Sequence, residues 1–185
     1  HLFSSAASDV YKRQVNNVTK EIYSPLNDER IATLSWADSL DSERALKSAE
    51  QGFDTWSKTP VKKRKKWMLL LKDKILEKEE ILRKSISYEM GKPYGATAED
   101  IESITNSLKY YSDIVEDYQK DKEIIDPDGT HNHHLVSKPI GVVVAYLAWN
   151  FPLLNAGFNL GPALASGCSI ILKPSELSPV SLYII

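Results

Sequence analysis

The chain has 185 residues, 42% of them hydrophobic and 26% charged, enough apolar material for a globular core. A formal charge of -2 offers no general attraction to nucleic acid or to an anionic membrane surface. No apolar run approaches the length that crosses a bilayer, there is no secretory h-region, and one cysteine rules out an internal disulfide. The expectation is a soluble cytoplasmic protein, although a single cysteine excludes no compartment.

Read in chain order, Ser24-Pro25-Leu26-Asn27-Asp28 is a turn between two short strands, the second of which takes in Arg30 to Leu34. Asp41 can cap a helix that puts Ala45, Leu46, Ala49, Phe53 and Trp56 on one face. Thr59-Pro60 opens a second helical segment with Met68, Leu71 and Ile75. A third runs through Ile81 and Ile86 until Gly91-Lys92-Pro93 stops it. Ile101, Ile104, Leu108, Tyr111, Val115 and Tyr118 alternate three and four apart, which predicts a long amphipathic helix. The basic run Lys62 to Lys66 begins a helix and is balanced by Glu77, Glu79 and Glu80, so it reads as a solvated face. A helical interaction module with a basic face is the competing reading, and this run is its only support.

Asp126-Pro127-Asp128-Gly129 is a turn, so Lys122 to Ser137 reads as a β-hairpin. Strand alternation puts His131 and His133 on one face and His134 on the other, with no evident third ligand, so no metal is expected there.

The run Ile140 to Leu147 is β-branched and apolar almost throughout, the pattern of a strand covered on both faces of a parallel sheet. Pro152 suits the first position of a helix that carries Leu153, Leu160 and Ala165 and ends at Gly167, and Cys168 to Leu172 is a second short buried strand. Strand, helix and strand make one right-handed crossover, whose crevice lies at the carboxyl ends of the strands. Asn150 and Lys173 both fall there.

Three blocks in this region are Ala148-Trp149-Asn150-Phe151-Pro152, Pro162-Ala163-Leu164-Ala165-Ser166-Gly167 and Lys173-Pro174-Ser175-Glu176. In order and spacing they resemble the P-W-N-F-P, P-A-L-A-x-G and K-P-[SA]-E blocks of the NAD(P)-dependent aldehyde dehydrogenase superfamily. Ala148 departs from the usual proline, which loosens the approach to Trp149 but removes no chemical group. Glu89-Met90-Gly91-Lys92-Pro93 matches a further family block, where it is structural.

The resemblance implies an α/β fold: a helical amino-terminal segment, a protruding β-hairpin and the first βαβ unit of a Rossmann-like cofactor domain. The divisions are residues 15–120 for the helical part, 121–139 for an oligomerisation hairpin and 140–185 for the start of the NAD-binding unit. Homodimers or homotetramers are the implied assemblies. In such enzymes a cysteine thiolate attacks the aldehyde, the asparagine amide donates to the developing oxyanion, hydride leaves for the nicotinamide, and a glutamate-activated water hydrolyses the thioester. Asn150 would be that donor, an uncharged group typically worth about a hundred- to a thousandfold in rate. Its alternative is a plain helix cap.

Lys173 and Glu176 would take the adenosine ribose hydroxyls, and a carboxylate there repels a 2′-phosphate, which tilts the cofactor toward NAD with NADP possible. Their alternatives are a surface lysine and a glutamate favoured by a helix dipole. Ser175 belongs to the same cofactor-binding block. The backbone of Leu147 and Ala148 would line the groove, and Trp149 either does so or packs in the core.

Cys168 follows Gly167 at the opening of a strand and reads as a small buried hydrophobe; no G-Q-x-C block, where the family nucleophile lies, occurs in the chain. Residues 1–14, including Ser8 to Gln14, resemble translated adapter or vector sequence. The resemblance spans Ile22 to Ile185, about the first third to two-fifths of the family's length, and a helix begun at Ser178-Pro179 ends uncapped at Ile185. The expectation is an amino-terminal piece that oxidises no aldehyde alone. Within the superfamily it looks closest to succinate-semialdehyde dehydrogenases, with an aromatic or medium-chain aldehyde as the alternative substrate.

Overall fold

A computed structural model describes residues 18–185. The reading of residues 1–14 lies outside them. The chain starts with an antiparallel ribbon, β1 (Thr19–Tyr23) and β2 (Arg30–Ser35). Four helices follow: α1 (Ser39–Trp56), α2 (Val61–Glu77), α3 (Glu79–Met90) and, after a short 3₁₀ turn at Tyr94–Thr97, α4 (Ala98–Tyr118). The hairpin β3 (Lys122–Ile125) and β4 (Asn132–Leu135) leads to β5 (Val142–Tyr146), α5 (Pro152–Ser166), β6 (Ser169–Lys173) and a short α6 (Val180–Ile184). The fold is mixed α/β, with β5 and β6 pairing in parallel from Val142 opposite Ser169 to Tyr146 opposite Lys173.

Punctuation by proline and glycine sets α5. Pro152 takes its first turn, and Gly167 ends it in the left-handed region at φ 89°, open to glycine at little cost. Its Gly157 and Gly161 sit so close to α4 that an added Cβ at either would collide with Ile104 or Ser107. The core runs from there outward: Leu82 and Ile86 of α3, Ile101, Ile104 and Leu108 of α4, and Leu153 and Ala156 of α5 are fully enclosed. Helix α1 packs on β5 and β6, and Trp56 Nε1 donates to the Leu164 carbonyl at 3.0 Å.

Local details depart from the sequence reading. Helix α1 is capped by Asp38, and Asp41 is its reciprocal partner: Asp38 Oδ1 accepts the Asp41 N–H at 2.9 Å, while Asp41 Oδ2 accepts the Asp38 N–H. Leu46 and Ile81 face solvent, and Leu82 holds the core position in α3. Tyr118, on the last turn of α4, is exposed. Within the basic run Arg64 turns inward, 4% exposed, donating to the Thr59 carbonyl at 3.0 Å and to the Gln119 side chain at the end of α4. The anchor is local geometry: α2 places Arg64 beside Gly167, where an added Cβ would lie 3.0 Å from the guanidinium.

Strand β5 is covered on one face alone. Ala145 and the following Leu147 are buried, whereas Val144 and Tyr146 alternate outward into solvent. An unbroken apolar run does not say which face finds a partner. Among the described residues this sheet has two strands, so each is an edge.

Candidate functional site

The parallel register fixes where the two motif turns meet. Beyond the last strand pair, the Leu147 N–H donates to the Lys173 carbonyl at 3.0 Å, so the chain leaves β5 and β6 side by side at their carboxyl ends. Leu147 is buried, Ala148 and Trp149 lie at the surface, and Trp149 is 51% exposed, so its ring is not core packing. The Ala148 carbonyl accepts Asn155 Nδ2 at 3.4 Å, and the Trp149 carbonyl accepts Ser178 Oγ at 2.9 Å. Ser178 is buried and joins the turn after β5 to the segment after β6.

Asn150 occupies the bend of this turn and is exposed. It does not cap α5: the cap position belongs to Phe151, which has no side-chain cap hydrogen bond. Asp100, at the start of α4, reaches the helix head instead and accepts the Leu154 N–H.

On the β6 side, Lys173 ends the strand. Its Nζ donates to the Pro174 carbonyl at 3.0 Å and lies 3.5 Å from Glu176 Oε2, with both side chains half exposed. Glu176's own backbone N–H, then the Lys173 ammonium, hold its carboxyl below the usual value, so it is ionised at neutral pH. Ser175 Oγ accepts the Leu177 N–H at 3.2 Å and so shapes the turn. The pair therefore presents one cationic donor and one anionic acceptor at the same end of the β5–β6 pair as the turn of Asn150.

Residues outside the motifs secure this edge. Buried Glu89 at the end of α3 accepts the N–H groups of Val180 and Ser181 at 2.5 and 3.2 Å and the Ser181 hydroxyl. Lys92 Nζ pairs with Asp100 Oδ2 at 2.7 Å and stands 4.0 Å from the centroid of the Phe151 ring. The block Glu89 to Pro93 signalled this region in the sequence, but nothing local marks Asp100, and Ser178 reads there as a helix start and not as a partner of Trp149.

Cys168 is 2% exposed at the entry to β6, where its Sγ accepts the Ser166 hydroxyl at 3.4 Å. In the hairpin His133 Nε2 lies 3.1 Å and His131 Nδ1 3.6 Å from Asp126, yet among the described residues no group of three or more His, Cys, Asp or Glu side chains could hold a metal. None of the helices among the described residues is long and apolar enough to cross a membrane.

The fold of the described residues occurs in known proteins. Over 97% of this chain and 37% of that one, the structure is similar to betaine aldehyde dehydrogenase from Staphylococcus aureus in complex with NAD+, with TM-score 0.85 and 31% identity. A 3,6-anhydro-L-galactose dehydrogenase in complex with NADP is similar at TM-score 0.84 and 30% identity, over 91% of this chain and 35% of that one. Aminoaldehyde dehydrogenase 2 of Solanum lycopersicum is 34% identical over 86% of this chain and 32% of its own length. The mitochondrial succinate-semialdehyde dehydrogenase of Arabidopsis thaliana is 32% identical over 90% of this chain and 31% of its own. The chain thus spans about a third of the length of the curated relatives it matches. The model of the aldehyde dehydrogenase family matches residues 12–185, nearly the whole sequence, and this chain belongs to that family.

Proposed function

We propose that the chain forms the amino-terminal, cofactor-binding part of an NAD(P)-dependent enzyme that oxidises an aldehyde to a carboxylate, with Asn150 as a hydrogen-bond donor to the oxyanion that forms at the reacting carbonyl. The carrying observation is that Asn150 is exposed in the turn after β5, is not used as a helix cap, and lies at the same end of the β5–β6 pair as Lys173 and Glu176.

The donor set fits a dinucleotide. A vicinal ribose diol needs a donor and an acceptor together, and the half-exposed Lys173 ammonium and Glu176 carboxylate, 3.5 Å apart, supply both. The anionic Glu176 opposes a 2′-phosphate and supports NAD as the preferred form. When bound, the cofactor supplies the hydride acceptor. What these residues contribute is position and polarity. The Asn150 carboxamide donates without titrating, and its turn is tied down by Ser178, so the donor is organised before charge develops.

Cys168, buried at the head of β6, is not the nucleophile in this reading. Hairpin β3–β4 is the proposed oligomer contact, supported by exposed Ile124, Ile125, Leu135 and Val136 on a short two-stranded element. Succinate semialdehyde and an aminoaldehyde, the substrate classes named for the Arabidopsis and Solanum relatives, are the first aldehydes to assay.

The test is Asn150→Ala in the intact enzyme. Turnover should fall by about a hundred- to a thousandfold, the scale of one lost oxyanion donor, while the NAD+ dissociation constant stays where it was. Equal losses in both would make Asn150 a structural residue.

A further inference from the structure

Asparagine at the head of a helix is drawn to the cap, where its side-chain oxygen accepts a backbone N–H two or three positions on. In α5 the cap is Phe151, which offers no such acceptor, and Asn150 stands one residue earlier. The acceptor comes from another helix. Asp100 Oδ1, on the first turn of α4, takes the Leu154 N–H at 3.4 Å, and Leu154 is the third residue of α5, the position a cap side chain ordinarily serves. Asp100 is fully buried, and its charge is balanced by Lys92, whose side chain is 9% exposed and whose Nζ is 2.7 Å from Oδ2. The same ammonium stands over the face of Phe151, the residue next to Asn150.

We propose that Lys92 and Asp100 are positioning residues: they cap α5 from outside and grip Phe151, so that the Asn150 carboxamide is spared from capping and held toward the crevice. This rests on the oxyanion role given to Asn150 above. Three features of the geometry favour it over a generic buried ion pair. Both charges touch the same turn, one through a ring and one through a backbone N–H. Helices α4 and α5 meet without spacing side chains at Gly157 and Gly161, so Asp100 is held in a fixed place relative to the head of α5. A carboxylate at that helix end also complements its positive dipole.

Removing one partner would leave a buried charge unpaired, so the informative variant removes both while keeping volume, Lys92→Met with Asp100→Leu, an exchange that often leaves stability unharmed. In the intact enzyme kcat should fall about a hundredfold, the scale of a 1 Å misplacement of a reacting group. The NAD+ dissociation constant should not move, and the Leu154 amide should exchange faster with deuterated solvent. Placed in an Asn150→Ala background, the pair of substitutions should cost no further kcat. Lys92→Arg, which keeps the charge, should retain activity near that of the parent.

A loss of kcat as large in the Asn150→Ala background as in the parent would overturn the proposal, because the pair would then act on the fold and not through Asn150. An unchanged kcat in the double variant, with Asn150→Ala crippled, would overturn it too. Full activity in Asn150→Ala would instead remove the oxyanion reading itself. Should the double variant fail to fold, Asp100→Asn carries the test: its smaller loss should also vanish when Asn150 is alanine, and a loss that persists there rejects the proposal.

Discussion

Gly157→Ala sets two effects of opposite sign against each other. In a helix interior an alanine is favoured over glycine by about 0.5–1 kcal/mol when nothing else changes. At Gly157 the new Cβ would lie 2.8 Å from Ile104 Cα and 3.3 Å from its N and Cβ. Backbone atoms cannot swing aside as the tip of a side chain can, so α4 and α5 would have to part. Forcing a methyl group into a filled contact costs about 1–3 kcal/mol. Parting the helices also stretches the 2.6 Å hydrogen bond from Ser107 Oγ to the Gly157 carbonyl, worth about 0.5–1.5 kcal/mol. The costs outweigh the propensity gain, leaving a net destabilisation of about 0.5–4 kcal/mol. Gly52, inside α1 four residues before its end, is the internal control: its nearest neighbour to an added Cβ is Ser169 Cβ at 4.0 Å. Gly52→Ala should therefore stabilise by about 0.5–1 kcal/mol. Urea unfolding of the two variants and the parent, followed by circular dichroism, reads both signs in one experiment. A Gly157→Ala chain as stable as the parent would refute the close approach of α4 to α5, and with it the fixed seat of Asp100 beside Leu154.

Glu176→Ser in the intact enzyme should raise kcat/KM for NADP relative to NAD, since the anion opposing the 2′-phosphate is gone; an unchanged ratio would count against the ribose assignment. Glu89 titrates in the other direction: burial raises its carboxyl above 4.5, outweighing the hydrogen bonds from Ser181 and Val180 that favour the charged form. The folded chain then holds that proton more tightly than the unfolded one, so this group's stabilisation is complete below the unfolded value of 4.5 and is lost as pH rises through the raised folded value. Glu89→Gln should flatten that part of the profile of urea midpoint against pH, and superimposable profiles would show that Glu89 does not carry the slope.

The strand–helix–strand unit that carries the candidate site was legible because its signals are local. A β-branched run, Pro152 just inside a helix and Gly167 just past its end mark β5, α5 and β6 by residue type alone, and the parallel register then puts the turn that carries Asn150 at the same end of the strand pair as Lys173. What supports the site was not legible, because its contacts are tertiary. Asp100 reads as an ordinary acidic residue in the first turn of a helix, and nothing near it says that its carboxylate serves another helix head. Arg64 sits in a run of lysines that looks uniformly solvated, yet the turn of α2 that carries it faces Gly167. The same limit explains Asp38: two aspartates three apart can cap either way round, and geometry alone selects which one precedes the helix.

The block at the end of α3 shows how such tertiary contacts converge. Gly91 leaves the helix in the left-handed region at φ 74°, which turns the chain sharply between Glu89 and Lys92. Glu89 then fixes the first turn of α6 through Val180 and Ser181, and the nearby Ser178 holds the Trp149 carbonyl. Lys92 reaches the neighbouring Phe151 directly and Leu154 through Asp100. The turn that carries Asn150 is thus gripped on its amino side through α6 and on its carboxyl side through α4, and both grips start within four residues of one another. Burying two carboxylates and an ammonium is a poor way to gain stability, since desolvation offsets the attraction. It is a good way to fix a direction, because ion pairs and cap hydrogen bonds weaken steeply with misalignment where apolar contacts do not. The oxyanion role proposed for Asn150 would need that kind of restraint, which is a physical reason for a structural block to lie far from the motif in sequence and against it in space.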